Sequence, residues 1–303
     1  MTGDRTPVPA HGSVHVPVTG LRATGSNAPG SNAPGSNAYR PPWRAYRALS
    51  STALKSVLAY RFQFFMALMG NTFLVLTMLY LWRTILASGA QAGFSWPQMK
   101  AYLLVSFVAN TIVSGLTEWR MAARIRDGMV AIDLTKPIDY QRARFAEAVG
   151  FAAFEYFTGT VLVLIALLVF GGVPVPHGLH LLLFAVSIVL VLPLRFSLVY
   201  ATALLCFWTQ NYMGINWARL AITNLMSGAL VPLPFFPGWL QLLGKALPFQ
   251  GMAYTPAMLY LDRFSNRDAV LAVLVQLAWS IALWFGAAAA WRAASRRLTV
   301  HGG

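Results

Sequence analysis

Charge is scarce in this sequence, and acidic residues are scarcer still. Only 11% of its 303 residues are charged and nine are Asp or Glu, where a soluble domain usually carries about 25% charged residues. Cysteine is all but missing: Cys206 stands alone in an apolar run, which excludes an intrachain disulfide framework and a cysteine-cluster metal site. The histidines are His11, His15, His177, His180 and His301, and no H-E-x-x-H joins them. His177 and His180 have the spacing of weak metal ligands but no third partner. No serine sits in a G-x-S-x-G elbow. A phosphate loop is missing too. The one Gly-Lys pair is Gly244-Lys245, with Trp239 where the first glycine should stand and Ala246 in place of Ser or Thr. Hydrolytic, metal and nucleotide chemistry in the chain itself are therefore not expected.

What is present is apolar surface. Hydrophobic residues make up 57% of the chain and its mean hydropathy is +0.57, which reads as an all-α, polytopic membrane protein. The net charge of +14 raises nucleic acid as a partner. The basic residues flank apolar spans, however, so membrane topology is the better explanation. Residues 1–42 are polar and rich in Gly, Pro and Ser, with the repeat "GSNAPGSNAPGSNA" at 25–38. They lack the apolar segment of a signal peptide and read as a flexible tail. From Trp43 to Tyr60, Tyr46, Leu49, Ala53, Leu54, Val57 and Leu58 share one helical face, and Arg44, Arg47, Ser51 and Lys55 share the other. That pattern predicts an interfacial helix with its cations toward lipid phosphates.

Six spans are expected, at about 62–82, 101–117, 146–170, 179–208, 215–230 and 269–291. Between the last two, residues 231–262 are apolar but broken by Pro232, Pro234, Pro237, Pro248 and Pro256. Two short helices entering and leaving one face would fit there, as a re-entrant hairpin. With both termini in the cytoplasm, the inner segments hold 17 Lys and Arg and the outer segments five. This asymmetry supports the orientation and makes the loop at 118–144 cytoplasmic. Arg195 is left inside the membrane, where a cation costs about 2.5–3.5 kcal/mol on insertion scales. Glu147 and Glu155, eight residues apart, fall roughly on one face of the third span. Arg195, Glu155 and Glu147 are read either as lining or gating a polar path, or as an interhelical ion pair, or with Arg195 snorkelling along a helix kinked at Pro193.

The loop "RIRDGMVAIDLTKPIDYQRAR", Arg124 to Arg144, mixes charges of both signs with Met, Val, Ile and Leu. Gly128 can end one helix, Met129–Leu134 can form a short second one, and Pro137 can stop it. Asp139 can then cap the third span. That shape suits a docking knob for a soluble partner.

Two stretches carry a resemblance: "IRDGMVAIDLTKPID" after the second span and "LMSGALVPLPFFPGWLQLLGKALPFQ" before the last. With the order of helix, spans, loop and hairpin, residues 43–298 resemble the permease subunit of bacterial ABC type-2 exporters. The resemblance implies a plasma-membrane permease domain at 43–298 that works as a pair, identical or with a sister subunit, beside membrane lipids. Beneath it would sit two separate ATPase subunits that hold ATP and magnesium. Arg126, Asp127, Gly128, Met129, Ile132, Asp133, Leu134, Lys136 and Pro137 would form the ATPase-coupling segment. Pro232, Pro237 and Pro248 would shape an outer hairpin capping the exit.

Overall fold

The computed structural model describes residues 42–59, 61–89, 93–111, 115–171, 176–209 and 212–296. The expected N-terminal tail, apart from Pro42, lies outside them. The described residues are all-α. α1 is Pro42–Ala59, α2 Arg61–Ala87, α3 Trp96–Thr111, α4 Gly115–Arg126 and α5 Val130–Leu134. α6 is Tyr140–Phe170, α7 Gly178–Leu204 and α8 Tyr212–Met226. α9 is Gly238–Ala246, α10 Tyr254–Tyr260 and α11 Asn266–Ser295.

Four stretches are long and apolar enough to cross a membrane: Leu68–Ala87, Tyr140–Ala166, Gly178–Phe207 and Asn266–Ser295. They fall on four of the six expected spans. The other two land on shorter helices. The stretch 101–117 covers the described part of α3 up to Thr111 and the start of α4 at Gly115, with 112–114 outside the described residues. The stretch 215–230 lies on α8 and the turn after it. α3 has 16 residues and α8 has 15, short of the roughly 20 that cover a hydrocarbon core at about 1.5 Å each.

The polarity of the packing is that of a membrane protein. Phe62, Phe65, Met69 and Phe73 of α2, Phe157 and Leu168 of α6, and Trp217 and Ile222 of α8 point outward. Ser106, Ser187, Thr223, Gln276 and Ser280 are buried. α8 shows the inversion between its ends: Arg219 and Thr223 face in, and Met213, Trp217, Ile222 and Leu225 face out, while Tyr212 and Met226 at the two ends are buried. Outward apolar faces on this scale need a covering of lipid or of another chain.

α7 runs along α11, α1 lies on α6, and α10 is wedged against α3 and α7. The α1–α6 crossing is close because of one glycine. A Cβ on Gly150 would stand 2.1 Å from the carbonyl oxygen of Ser50, so any side chain there pushes the helices apart. α7 and α11 are clasped by Gln276, which donates to the carbonyls of Ser187 and Gly251 at 2.9 Å each and accepts from Ser187 Oγ at 2.7 Å. Such a satisfied network holds its helices firmly because each group has no alternative partner in a dry interior. α7 continues through Pro193, whose carbonyl accepts from the Ser197 hydroxyl at 2.8 Å. The expected Asp139 cap is present: its carboxylate accepts from the backbone N–H of Arg142 at 2.8 Å and starts α6.

Candidate coupling loop and intramembrane polar cluster

α4 ends at Arg126, and Gly128 follows at φ 71°. A left-handed residue just past a helix end is where glycine costs least, and it turns the chain into α5. Five residues cannot hold a helix alone, so α5 depends on what its two faces touch. The inner face carries Val130, fully buried against a cluster that includes Met121, Tyr140 and Tyr200. It also carries Asp133. The outer face carries Met129, Ile132 and Leu134; Ile132 is 54% exposed. Arg126, Asp127, Gly128, Lys136 and Pro137 surround that face in solvent, with Arg126 over the Trp119 ring at 5.4 Å. The expected helix at Met129–Leu134 is thus one residue shorter than the sequence pattern, and most of the expected coupling residues ring its exposed side.

Asp133 departs from that grouping. Its side chain is 3% exposed and points back into the protein. Arg124 grips it with two bonds, Nε to Oδ2 at 2.8 Å and Nη2 to Oδ1 at 2.7 Å. Lys136 Nζ donates to Oδ1 at 2.9 Å, and Arg144 Nη2 stands 3.8 Å from Oδ2. Burial works against ionisation, but the bonds from Lys136 and Arg124 and the charge of Arg144 outweigh it. They hold Asp133 below the ordinary carboxylate range. For Arg124, burial is likewise outweighed by its bond to Asp133, and its pKa is raised.

Glu147 belongs to this same cluster, its carboxylate paired with Arg144 Nη1 at 3.0 Å. Arg144 lies 5.3 Å over the ring of Tyr140, and Tyr140 stacks on Trp291 of α11 at 4.3 Å. Nothing in local spacing singles out Arg124, Arg144 or Tyr140. Arg124 and Asp133 are nine residues apart, across the Gly128 turn, and meet only because that turn reverses the chain.

Arg195 lies elsewhere. It is buried on α7, and its Nη1 donates to Asn110 Oδ1 at 2.8 Å, to the Asn110 carbonyl and to the Ala109 carbonyl at 3.4 Å. Both residues lie on α3, close to Thr111, the last described residue of that helix. Asn110 Nδ2 in turn donates to Asn224 Oδ1 of α8 at 3.2 Å. Asn110 also lines a groove of about 190 Å³ with Asn71, Ser106, Thr111, Leu74 and Phe107. The three residues read from the sequence as pathway candidates are therefore split: Glu147 joins Asp133 at the loop, and Arg195 backs the groove through Asn110. Glu155 is half-buried farther along α6.

The proline-rich stretch forms short elements. Pro232 precedes a 3-10 turn at Leu233–Phe235, Pro237 precedes α9, and Pro248 opens a second 3-10 turn at Pro248–Met252. α10 is almost wholly buried, whereas α9 shows Trp239 and Leu242 to the outside. Their anchor is the Ser227–Gly228 pair. Tyr102 donates to the Gly228 carbonyl, and the backbone N–H of Tyr254 donates to the Ser227 carbonyl at 3.0 Å. Trp82 Nε1 adds a bond to the Leu230 carbonyl at 3.2 Å. Among the described residues, no three His, Cys, Asp or Glu come together as a metal site.

A family model described as "ABC-2 family transporter protein" matches residues 66–302, and the chain belongs to that family. It is thus a multi-pass membrane subunit of an ABC-class transporter, and permeases of this family act with ATPase subunits. No curated protein matches the chain.

Proposed function

We propose that this permease exports its substrate from a bacterial cytoplasm, driven by two copies of an ATPase that dock on α5. The observation that carries the reading is the division of α5. Met129, Ile132 and Leu134 are exposed, and Val130 and Asp133 are buried against the rest of the protein. An apolar knob ringed by Arg126, Asp127 and Lys136 is a surface that another protein covers. ATP and magnesium belong to that partner. α3 and α8 complete six spans, both termini are cytoplasmic, and α9 and α10 form the outer hairpin around Pro232, Pro237 and Pro248. The excess of Lys and Arg on the 118–144 side supports this orientation. Two permeases, identical or sister, meet at the centre. The groove behind Asn110 and Arg195, with Glu155, contributes to the path; Glu147 belongs to the loop that moves it.

The test is co-purification. Met129→Asp with Ile132→Asp puts two charges on the knob and leaves Val130 and Asp133 untouched. The double variant is expected to insert normally and lose its ATPase. An ATPase retained at the wild-type ratio would refute the docking site.

A further inference from the structure

We infer that Asp133 is the clamp that makes α5 move as one body with α6 and α11, so that it transmits the stroke of the ATPase without touching it. This rests on the docking reading above and deepens it. A knob that only had to bind would need its outer face alone. Here a five-residue helix carries a buried carboxylate tied to cations from three segments: Arg124 of α4, Lys136 of the following turn and Arg144 of α6. The tie continues inward. Arg144 also holds Glu147 at 3.0 Å and covers Tyr140, and Tyr140 stacks on Trp291 of α11. Val130 seals the same face against Tyr140 and Tyr200, the latter on α7. A push on Ile132 therefore meets a rigid connection to the ends of three long helices. Take away the carboxylate charge and α5 keeps its apolar seat, but a neutral amide keeps one acceptor oxygen, holds Arg124 more weakly and no longer attracts Arg144, so α5 can tilt without carrying α4 and α6 along.

The chain tolerates the change that tests this. In Asp133→Asn, Arg144 still has Glu147, and Arg124 and Lys136 reach solvent, so no cation is stranded in the interior. The experiment uses the purified complex in lipid vesicles, with Cys206→Ala and a single nitroxide at Leu168→Cys, the outward position near the far end of α6 that is 88% exposed. The nucleotide is ATP with vanadate, and the readout is the change in nitroxide mobility. In the wild-type background the label responds. In Asp133→Asn the ATPase is expected to co-purify and to hydrolyse ATP within about twofold of wild type, with the label response reduced about tenfold or more. Asp133→Glu, which restores the charge, is expected to recover much of the response. A misfolding effect would lower assembly, hydrolysis and response together.

A full label response in Asp133→Asn would overturn the clamp, and so would a wild-type label indifferent to nucleotide. Loss of the ATPase from a folded Asp133→Asn would overturn it as well, by making Asp133 a docking residue. The docking reading fails separately, if Met129→Asp with Ile132→Asp keeps the ATPase.

Discussion

Tyr102 of α3 donates its hydroxyl hydrogen to the carbonyl of Gly228, 2.8 Å away, and so ties the end of α8 to the neighbouring helix. Gly228 sits at φ 78°, and a Cβ built on it would stand 2.8 Å from that same hydroxyl oxygen. The two residues fail differently. Tyr102→Phe removes one buried hydrogen bond and is expected to cost about 1–3 kcal/mol, because the carbonyl is left unsatisfied. Gly228→Ala adds left-handed strain to the loss of the same contact and is expected to cost more. Thermal unfolding in detergent should rank Gly228→Ala as the less stable of the two.

Gly150 sets how closely α1 can lie on α6. Gly150→Leu cannot be accommodated beside the Ser50 carbonyl without moving α1. The expected result is an inserted protein whose α1 is cut by protease much faster than in the wild type. Equal cutting rates would mean that α1 does not depend on this contact.

The elements that a period or a breaker announces were legible in the sequence. The four long apolar stretches, the helix break at Gly128, the Asp139 cap and the division of 231–262 into short elements at its prolines are local signals, and each has a local physical cause. The stretch expected as a second span is not among the four long apolar helices: it falls on the 16 residues of α3 and on the start of α4, with 112–114 outside the described residues. The contacts of the site were not legible. Asp133 looked like one more charge on a solvated knob, and only the fold of the loop brings Arg124, Lys136 and Arg144 around it. Arg195 was visible as an expensive charge, but its link to Asn110 depends on how α7 packs against α3.

The loop cluster sets a pH dependence of definite sign. Asp133 is held below its ordinary value of 3.8, so the stability it lends is fully present above that value and is lost as pH falls through its still lower folded value. Protease cleavage between Arg124 and Asp139 is therefore expected to stay slow down to about pH 4 and to accelerate only below it. Acceleration between about pH 5 and 6 would mean that the carboxylate is not held as described.

Sidedness can be read with single cysteines in a Cys206→Ala background. Ile132→Cys and Leu242→Cys place thiols at positions that are 54% and 71% exposed. In intact cells an impermeant maleimide is expected to label Leu242→Cys alone. In inverted vesicles it is expected to label Ile132→Cys alone. Labelling of both from one side would overturn the orientation.

Whether an ATPase seats on α5 can be read by site-specific photo-crosslinking. A photoreactive residue is placed at Ile132, with a second at Trp239, in the segment proposed to lie outside, as a control, in cells that express the partner ATPase. The account predicts that the ATPase is captured from position 132 and not from 239, and that Met129→Asp abolishes the capture. Capture from 239, or none from 132 while the two proteins co-purify, would contradict it.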